Sequence, residues 1–154
     1  MENTPLLQTE RLLLRRFDAD DTTALFQIMS DRETNRFLPW FPFEKREQAA
    51  SHLQTFYLDY YRQPAGYRYA VCLQKDNVPI GYVHVSGDDS HDLGYGIRKD
   101  FWHRGLVTEA AGAVVERLKK DGIPYITATH DVQNPRSGEV MKKLGMRYRY
   151  SYRE

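Results

Sequence analysis

This protein has little cysteine, no long apolar run and almost no net charge, and each shortage excludes a class of protein. The single cysteine, Cys72, excludes a disulfide framework and any zinc site built from cysteines. No apolar run approaches the roughly 18 residues of a membrane span, and the first residues contain no signal-peptide core. Basic residues number 22 and acidic residues 21, a net charge of +1 that argues against a dedicated nucleic-acid binder. We therefore expect a cytoplasmic protein that binds neither membranes nor nucleic acids.

The remaining composition is that of an ordinary globular protein. The chain has 154 residues, of which 41% are hydrophobic and 28% charged, and these proportions exclude disordered and collagen-like chains. Chains usually divide into domains only beyond roughly 250–300 residues, and no repeat, low-complexity tract or Gly/Ser linker interrupts this one. The sequence predicts a single domain over residues 1–154.

Hydrophobic periodicity and capping signals predict strands and helices in mixed order. Strands are predicted at 11–15, 67–73, 80–85, 93–97, 124–129 and 147–152. Helices are predicted after Asp18, with Leu25, Ile28 and Met29 inward, and at 44–62, 105–121 and 134–144, with a loop at 37–41. Because hairpin-linked strands precede a late strand–helix–strand crossover, this order predicts a three-layer α/β domain with a central mixed sheet flanked by helices.

The segment 98–110, RKDFWHRGLVTEA, combines a helix start with glycine and positive charge. The first N–H groups of a helix have no partner within it, and the helix dipole places partial positive charge there. Gly105 allows close approach to the backbone, and Arg98, Lys99 and Arg104 concentrate positive charge nearby. These features favour a phosphate or pyrophosphate, although the spacing alone fits an ordinary strand–helix turn with solvated basic residues equally well.

Other chemical motifs do not occur in the sequence. No third glycine follows Gly94 and Gly96 at dinucleotide spacing, and neither GxxxxGK[ST] nor GxSxG is present. The five histidines show no paired ligand spacing, so we expect no metal. Cys72 lies within a predicted strand, where a small buried residue is favoured over a nucleophile.

Residues 102–110 resemble the acetyl-CoA pyrophosphate loop of the GNAT N-acetyltransferase superfamily, whose general form is Q/R-x-x-G-x-G/A. The tryptophan at its start and the TEA that opens the helix are typical of the ribosomal-protein N-acetyltransferase branch. Further matches follow in the family's order: TERLLLR at 9–15, IG at 80–81, LGY at 93–95, NPRS at 134–137 and KLGM at 143–146. The resemblance covers essentially the whole chain and implies a GNAT-like fold with a splayed sheet.

The resemblance implies an acetyl-CoA-dependent N-acetyltransferase that transfers acetyl directly to an amine, without an acyl-enzyme. Acetyl-CoA would lie between the splayed strands 93–97 and 125–129, with its pyrophosphate on the backbone N–H groups of residues 103–108. The pantetheine arm would pair with the main chain near Ile97 and Arg98. Asn134 would contact the pantetheine, or would serve as a plain helix N-cap. The implied cofactor-binding residues are Ile97, Arg98, His103, Arg104, Gly105, Leu106, Val107, Thr108 and Asn134.

Acetyl transfer to an amine has three chemical requirements. The amine must be neutral, so an α-amine, with a reference pKa of about 7.7–8.0, is easier to use than a lysine at about 10.4. The oxyanion needs a donor, for which a backbone N–H near Ile97 is predicted. The departing thiolate needs an acid, and Ser137 occupies the position that resembles the family's proton donor. A helix hydroxyl that satisfies backbone groups is the alternative for Ser137.

Neither the residues nor the resemblance identifies the general base. His84 is a candidate because it projects from its strand and its reference pKa is about 6.5. A packed or surface histidine is the alternative there, and Glu33 or a water-linked carboxylate is a rival. Trp40 is predicted to wall the acceptor pocket, or else to pack in the core.

Two positions depart from the branch's pattern. His103 stands where this branch often has glycine. The chain ends after the predicted strand 147–152, whereas the family usually has a seventh strand beside it. We therefore expect this last family strand to be missing, with the edge truncated, exposed, or completed by a partner chain in a homodimer.

Three functions remain open at this stage. The leading interpretation is an N-acetyltransferase that acts on an amine such as a protein N-terminus. A second keeps the enzyme but makes the acceptor a small molecule, such as a polyamine, amino acid or antibiotic. A third is an acyl-CoA-binding sensor without turnover.

Overall fold

The computed structural model describes residues 2–32, 35, 42–129 and 135–147. The strands in this part are β1 (Leu7–Gln8), β2 (Leu12–Arg15), β3 (Tyr67–Leu73), β4 (Pro79–Val85) and β5 (Leu93–Ile97). The helices are α1 (Thr22–Ser30), α2 (Arg46–His52), α3 (Leu106–Lys120) and α4 (Pro135–Lys143). The predicted loop 37–41 and all but the first residue of the predicted strand 147–152 lie outside the described residues. None of the helices in the described part is long and apolar enough to cross a membrane.

The five strands form one antiparallel sheet in the order β1-β2-β3-β4-β5. Val83 of β4 lies opposite Tyr95 of β5, and an irregularity between Val71 and Cys72 shifts the register of β3 against β4. Because β5 is last in this order, it has a neighbouring strand on only one of its two edges among the described residues. The fold class predicted from the sequence, α/β with a central sheet flanked by helices, is confirmed.

The predicted strand at 124–129 is reduced to a single parallel bridge between Asp92 and Thr127. The Leu93 N–H donates to the Thr127 carbonyl (2.7 Å), and the Thr127 N–H donates to the His91 carbonyl (3.3 Å). Beyond this bridge, no further pairing joins this segment to β5 within the described residues, and Tyr125 is 52% exposed. The prediction of a regular strand is wrong here because the two segments touch only at the start of β5. Among the described residues, no strand pairs with the rest of β5 on this side, which we call the opening beside β5.

The alternation of side chains in the strands gives the sheet two apolar faces. One face packs against α3 and the other against α1 and the helical segment that begins with α2. The α3 face includes Leu12, Leu14, Tyr69, Val83, Leu93, Ala110, Val114 and Leu118. The other face includes Phe17, Leu25, Ile28, Met29, Leu53, Tyr57 and Tyr82. These three layers match the predicted architecture, and Leu25, Ile28 and Met29 are buried as the sequence predicts.

The predicted helix at 44–62 is helical but irregular. It begins as α2, continues as a π-helical stretch at Leu53–Leu58 and ends in a 3-10 turn at Tyr60–Arg62. The Asp59 N–H donates to the Gln54 carbonyl (2.9 Å), which is the i to i−5 bond of a π-turn. This widened stretch buries Leu53 and Tyr57 against the sheet.

Candidate active site

The turn between β5 and α3 holds two residues in the left-handed region. His103 has a φ of +64° and Gly105 a φ of +73°. This conformation costs a residue with a side chain roughly 1–2 kcal/mol, whereas glycine adopts it freely. The histidine at 103 therefore keeps the backbone shape that a glycine would take most easily, and this turn exposes the start of α3.

The start of α3 has no side-chain cap. Gly105 is the N-cap residue, and the first helical bond runs from the Glu109 N–H to the Gly105 carbonyl (3.1 Å). The N–H groups of Leu106, Val107 and Thr108 have no partner among the described residues. Together with the positive end of the helix dipole, these three donors fit the oxygens of a phosphate or diphosphate.

Arg11 anchors this helix start from the beginning of β2. Its guanidinium donates to the Arg104 carbonyl (2.9 Å) and pairs with Glu109 (2.8 Å). Glu109 also accepts from the Thr9 hydroxyl and the Arg11 N–H. A Cβ at Gly105 would lie 3.6 Å from Nη2 of Arg11. The sequence places Arg11 only in a strand, and its contact with a loop 93 residues away has no local signal.

Two other basic residues of the loop, Arg98 and Arg104, differ in their contacts. The Arg98 guanidinium pairs with Asp100 (2.9 Å), and the Arg98 N–H donates to the Ile80 carbonyl (2.9 Å). The Arg98 N–H therefore faces β4 rather than the opening beside β5, and the Arg98 carbonyl accepts from the Phe101 N–H (2.9 Å). The guanidinium of Arg104 is exposed and lies 5.4 Å from the ring centre of Phe101. Arg104 is thus available to an anion at the start of α3.

Alternate peptide groups of β5 face the opening. The Leu93 N–H points away from β4 to Thr127, so strand alternation directs the main chain of Tyr95 and Ile97 to the same side. The Ile97 carbonyl accepts from the indole N–H of Trp102 (2.9 Å). Trp102 therefore anchors the end of β5, a role that the motif alone did not indicate.

Ser137 is the third residue of α4 and is half-buried. The Tyr95 hydroxyl lies 2.9 Å from its Oγ and donates to its carbonyl (2.8 Å). Burial raises the pKa of Tyr95, so the phenol stays protonated at neutral pH. Tyr95 joins α4 to the open strand and holds the predicted acid beside it. Alternation predicts the face on which Tyr95 lies but not its partner 42 residues away.

His84 lies on the opposite face of the sheet from Ser137. Its Nε2 is 2.7 Å from the Tyr57 hydroxyl, and its ring stacks on Tyr82 with centroids 4.6 Å apart. Burial, followed by the positive charge of Arg68, lowers the pKa of His84 to about 3. The imidazole is neutral at pH 7, but so low a pKa gives little driving force for removing a proton from an amine.

A groove of about 490 Å³ runs along α2 on the same side as His84. It is lined by Phe43, Glu47, Gln48, Ser51, His52 and Thr55. The His52 ring stacks on Phe56 (4.8 Å), which in turn lies 5.1 Å from His84. These ring contacts place the groove next to the sheet face that carries His84. Glu47 is the carboxylate in its lining.

The remaining predicted residues have simple outcomes. Asn134, Trp40 and Glu33 lie outside the described residues, and their roles stay predictions. Cys72 is fully buried as predicted, and burial raises its pKa to about 12, so its thiol is protonated and inert. Within the described part of the chain, no group of three His, Cys, Asp or Glu side chains is placed to hold a metal ion.

Comparisons with known proteins agree with this geometry. A family model described as the acetyltransferase (GNAT) domain matches residues 11–147. An uncharacterized N-acetyltransferase of Bacillus subtilis (strain 168), YoaA, is 29% identical over 146 residues, which are 92% of this chain and 82% of that protein. An acetyltransferase of the GNAT family from Bacillus anthracis has a structure that matches with a TM-score of 0.79 at 25% identity, covering 93% of this chain and 84% of that one.

The structural likeness extends to the ribosomal-protein branch. RimL, a ribosomal L7/L12 alpha-N-protein acetyltransferase solved in complex with coenzyme A, matches with a TM-score of 0.78 at 19% identity, covering 91% of this chain and 82% of that one. At this identity the likeness concerns the fold alone. Since the family model matches residues 11–147, which include β2 to β5, the α3 loop and α4, this chain belongs to the GNAT family and is an N-acetyltransferase.

Proposed function

We propose that this protein transfers the acetyl group of acetyl-CoA to the α-amine of a protein N-terminus, and that residues 1–154 form one such domain. The observation that carries the proposal is the uncapped start of α3 beside the open edge of β5. Acetyl-CoA, when bound, supplies an acetyl thioester to this opening. In the transfer a C–N bond forms as the C–S bond breaks, and a proton passes from the amine side to the thiolate side.

The start of α3 would hold the diphosphate. The N–H groups of Leu106, Val107 and Thr108 donate toward it, and His103 and Gly105 shape the turn that presents them. The guanidinium of Arg104, with Arg11 beside Gly105, adds positive charge. The positive end of the helix dipole and these cations would thus both attract the negatively charged diphosphate.

The open edge of β5 would hold the pantetheine arm. The main-chain groups of Tyr95 point away from β4, where an extended amide chain could pair with them as a strand would. A backbone N–H near Ile97 is the proposed donor to the charge that develops on the acetyl oxygen. The Arg98 N–H is bonded to the Ile80 carbonyl, so it does not donate to the pantetheine arm. The Arg98 side chain pairs with Asp100 just beyond the end of β5.

Ser137 is the proposed acid for the departing thiolate. It is a member of α4 and is held by the protonated Tyr95 on the open strand. The Tyr95 hydroxyl donates its one hydrogen to the Ser137 carbonyl and so can accept from Oγ. To protonate sulfur, the Oγ–H would turn from Tyr95 to the thiolate, and the proton that the amine nitrogen loses would restore the serine hydroxyl.

The weak basicity of His84, the candidate base, limits which amine can be the acceptor. His84 has a pKa of about 3 and so favours a substrate that is already partly neutral near pH 7. An α-amine with a pKa of about 7.7–8.0 meets this condition, and a lysine at about 10.4 does not. The fold likeness to RimL, which acts on the alpha-N of ribosomal L7/L12, supports a protein N-terminus. The groove along α2 offers Glu47 to such an amine.

An acceptor screen tests the proposal. Thiol release from acetyl-CoA is measured with peptides that have a free N-terminus, with the same peptides N-terminally blocked but carrying lysine, and with polyamines and amino acids. We expect release with the free N-termini, rising with pH through the pKa of the α-amine. Release with small amines alone would replace the protein acceptor by a small molecule. Binding of acetyl-CoA without release for any amine would instead indicate a sensor.

A further inference from the structure

The hydroxyl of Tyr82 is buried and has no hydrogen-bond partner among the residues that the structure describes. Tyr82 is 3% exposed, and its oxygen is unpaired in the structure. Buried polar groups are normally paired, and an exception calls for an explanation. Other buried tyrosine hydroxyls of the sheet and its helices have partners: Tyr57 with His84, Tyr61 with the Arg68 carbonyl, and Tyr69 with the Pro5 carbonyl.

The unpaired hydroxyl lies over the open strand. Tyr82 sits on β4 opposite Gly96 of β5. A Cβ at position 96 would lie 2.8 Å from both Cζ and the hydroxyl oxygen of Tyr82. The missing side chain of Gly96 is therefore the space that the tip of the phenol occupies. The main chain of the flanking residue Tyr95 points away from β4, toward the opening.

The surroundings keep the phenol protonated and fixed. Its ring stacks on His84 at 4.6 Å, with an angle of 20° between the planes. Burial raises the pKa of Tyr82, so the hydroxyl can donate a hydrogen bond but cannot act as a base at neutral pH. A fixed, dry donor is most useful where negative charge develops on an oxygen.

We propose that the Tyr82 hydroxyl donates a hydrogen bond to the carbonyl oxygen of the acetyl thioester, in addition to the backbone donor near Ile97. This inference rests on the proposed function. It explains why a buried hydroxyl is left unpaired and why glycine stands at 96. The acetyl oxygen would supply the partner that the protein alone does not, and the bond would strengthen as the amine attacks.

The test compares acetyl-CoA with coenzyme A, which has no carbonyl to accept the bond. Calorimetry gives both affinities for the wild type and for Tyr82→Phe. We expect Tyr82→Phe to weaken acetyl-CoA about five- to tenfold, the value of a typical net hydrogen bond, and to leave coenzyme A unchanged. Infrared spectroscopy of an isotope-labelled acetyl carbonyl should show its stretch at a higher frequency in the variant, because a donor to oxygen has been removed.

The matched control is Tyr69→Phe, which removes a paired hydroxyl on the other face of the sheet. Tyr69→Phe should lower the melting temperature and leave the ratio of the two affinities unchanged. Tyr82→Phe should keep or raise the melting temperature, because it removes an unpaired buried group.

Three outcomes would contradict the proposal. An unchanged affinity ratio and carbonyl frequency in a folded Tyr82→Phe variant would overturn the role of Tyr82 and leave the proposed function intact. An equal loss of both ligands would make Tyr82 structural. A rise in KM for the amine alone would assign the hydroxyl to the acceptor. If the wild type binds neither ligand, the proposed function itself fails, and this result is distinct from the other three.

Discussion

At the scale of single residues, the site depends on hydroxyls whose partners differ. The Tyr95 hydroxyl is bonded to Ser137 and the Tyr57 hydroxyl to His84, whereas the Tyr82 hydroxyl has no partner in the described part of the chain. The sequence pattern does not distinguish their roles: Tyr82 and Tyr95 lie in strands with alternating apolar residues, and Tyr57 lies in a segment with helical spacing. Their different chemical roles follow from which face and which neighbour each one reaches.

Ser137→Ala tests the acid at this scale. If Ser137 protonates the thiolate, kcat should fall roughly 10²–10⁴-fold, the usual range for acid–base help, while acetyl-CoA affinity stays near normal because the diphosphate contacts lie on α3. A coenzyme A analogue with a more acidic thiol should restore part of the rate. The measurement is steady-state kinetics together with the melting temperature.

Tyr95→Phe is the companion variant, because it keeps Oγ of Ser137 but removes its 2.9 Å neighbour. We expect a smaller fall in kcat than for Ser137→Ala. Normal turnover of Ser137→Ala with a lowered melting temperature would remove Ser137 from catalysis and leave it a structural residue of α4.

At the scale of elements, the two ends of α3 are built alike and differ in what surrounds them. Gly105 precedes the helix with a φ of +73°, and Gly122 follows it with a φ of +83°. Around Gly105 lie the Arg11 guanidinium and three N–H groups that have no partner among the described residues, whereas a Cβ at Gly122 would meet nothing within 4 Å. The same conformation thus stands at the proposed anion site at one end and at a plain helix stop at the other.

This symmetry provides a matched pair, Gly105→Ala and Gly122→Ala. Each places a side chain in the left-handed region and should lose about 1–2 kcal/mol of stability. Only Gly105→Ala should weaken acetyl-CoA, because it strains the turn that presents the N–H groups of Leu106 and Val107. Calorimetry and urea unfolding of both variants provide the measurements. Equal affinities in the two folded variants would remove the α3 start from the binding site.

At the scale of the whole molecule, the sheet separates the proposed acid from the candidate base. Ser137 is held by Tyr95, whose neighbours along β5 belong to the α3 face, and His84 faces α2 on the other side. The opening beside β5 lies at the edge of the described sheet, where its two faces meet. The burial of His84 within the aromatic layer also links the pH to the stability of the fold.

The pKa of His84 predicts a loss of stability in acid. In the unfolded chain this histidine titrates near its ordinary value of about 6.5, and in the folded protein at about 3. Between these values the unfolded chain binds a proton that the folded chain excludes. The stability is therefore complete above about pH 6.5 and declines as the pH falls toward 3, by at most about 1.4 kcal/mol per pH unit.

His84→Gln should flatten this decline, since glutamine does not titrate. Urea unfolding from pH 7 to pH 4 measures it, and His103→Gln, at an exposed histidine, is the control that should keep the wild-type slope. Identical slopes for His84→Gln and the wild type would show that another group causes the acid sensitivity.

The sequence by itself determined the types of most elements and the position of the α3 loop. Period-two alternation predicts β3, β4 and β5, and the glycine and charges predict the loop before α3. These predictions hold because the patterns depend only on local backbone geometry and on which side chains are buried. For the same reason the family could be identified from residues 102–110 and the order of the other motifs.

The tertiary structure alone decided which side chains meet. Arg11 reaches Arg104 across 93 residues and Tyr95 reaches Ser137 across 42, and periodicity assigns a face but not a partner. It also decided that the segment at 124–129 forms only a bridge at Thr127, because its departure from β5 depends on how the two segments splay and not on its β-branched composition. The unpaired hydroxyl of Tyr82 is visible only once Gly96 lies opposite it.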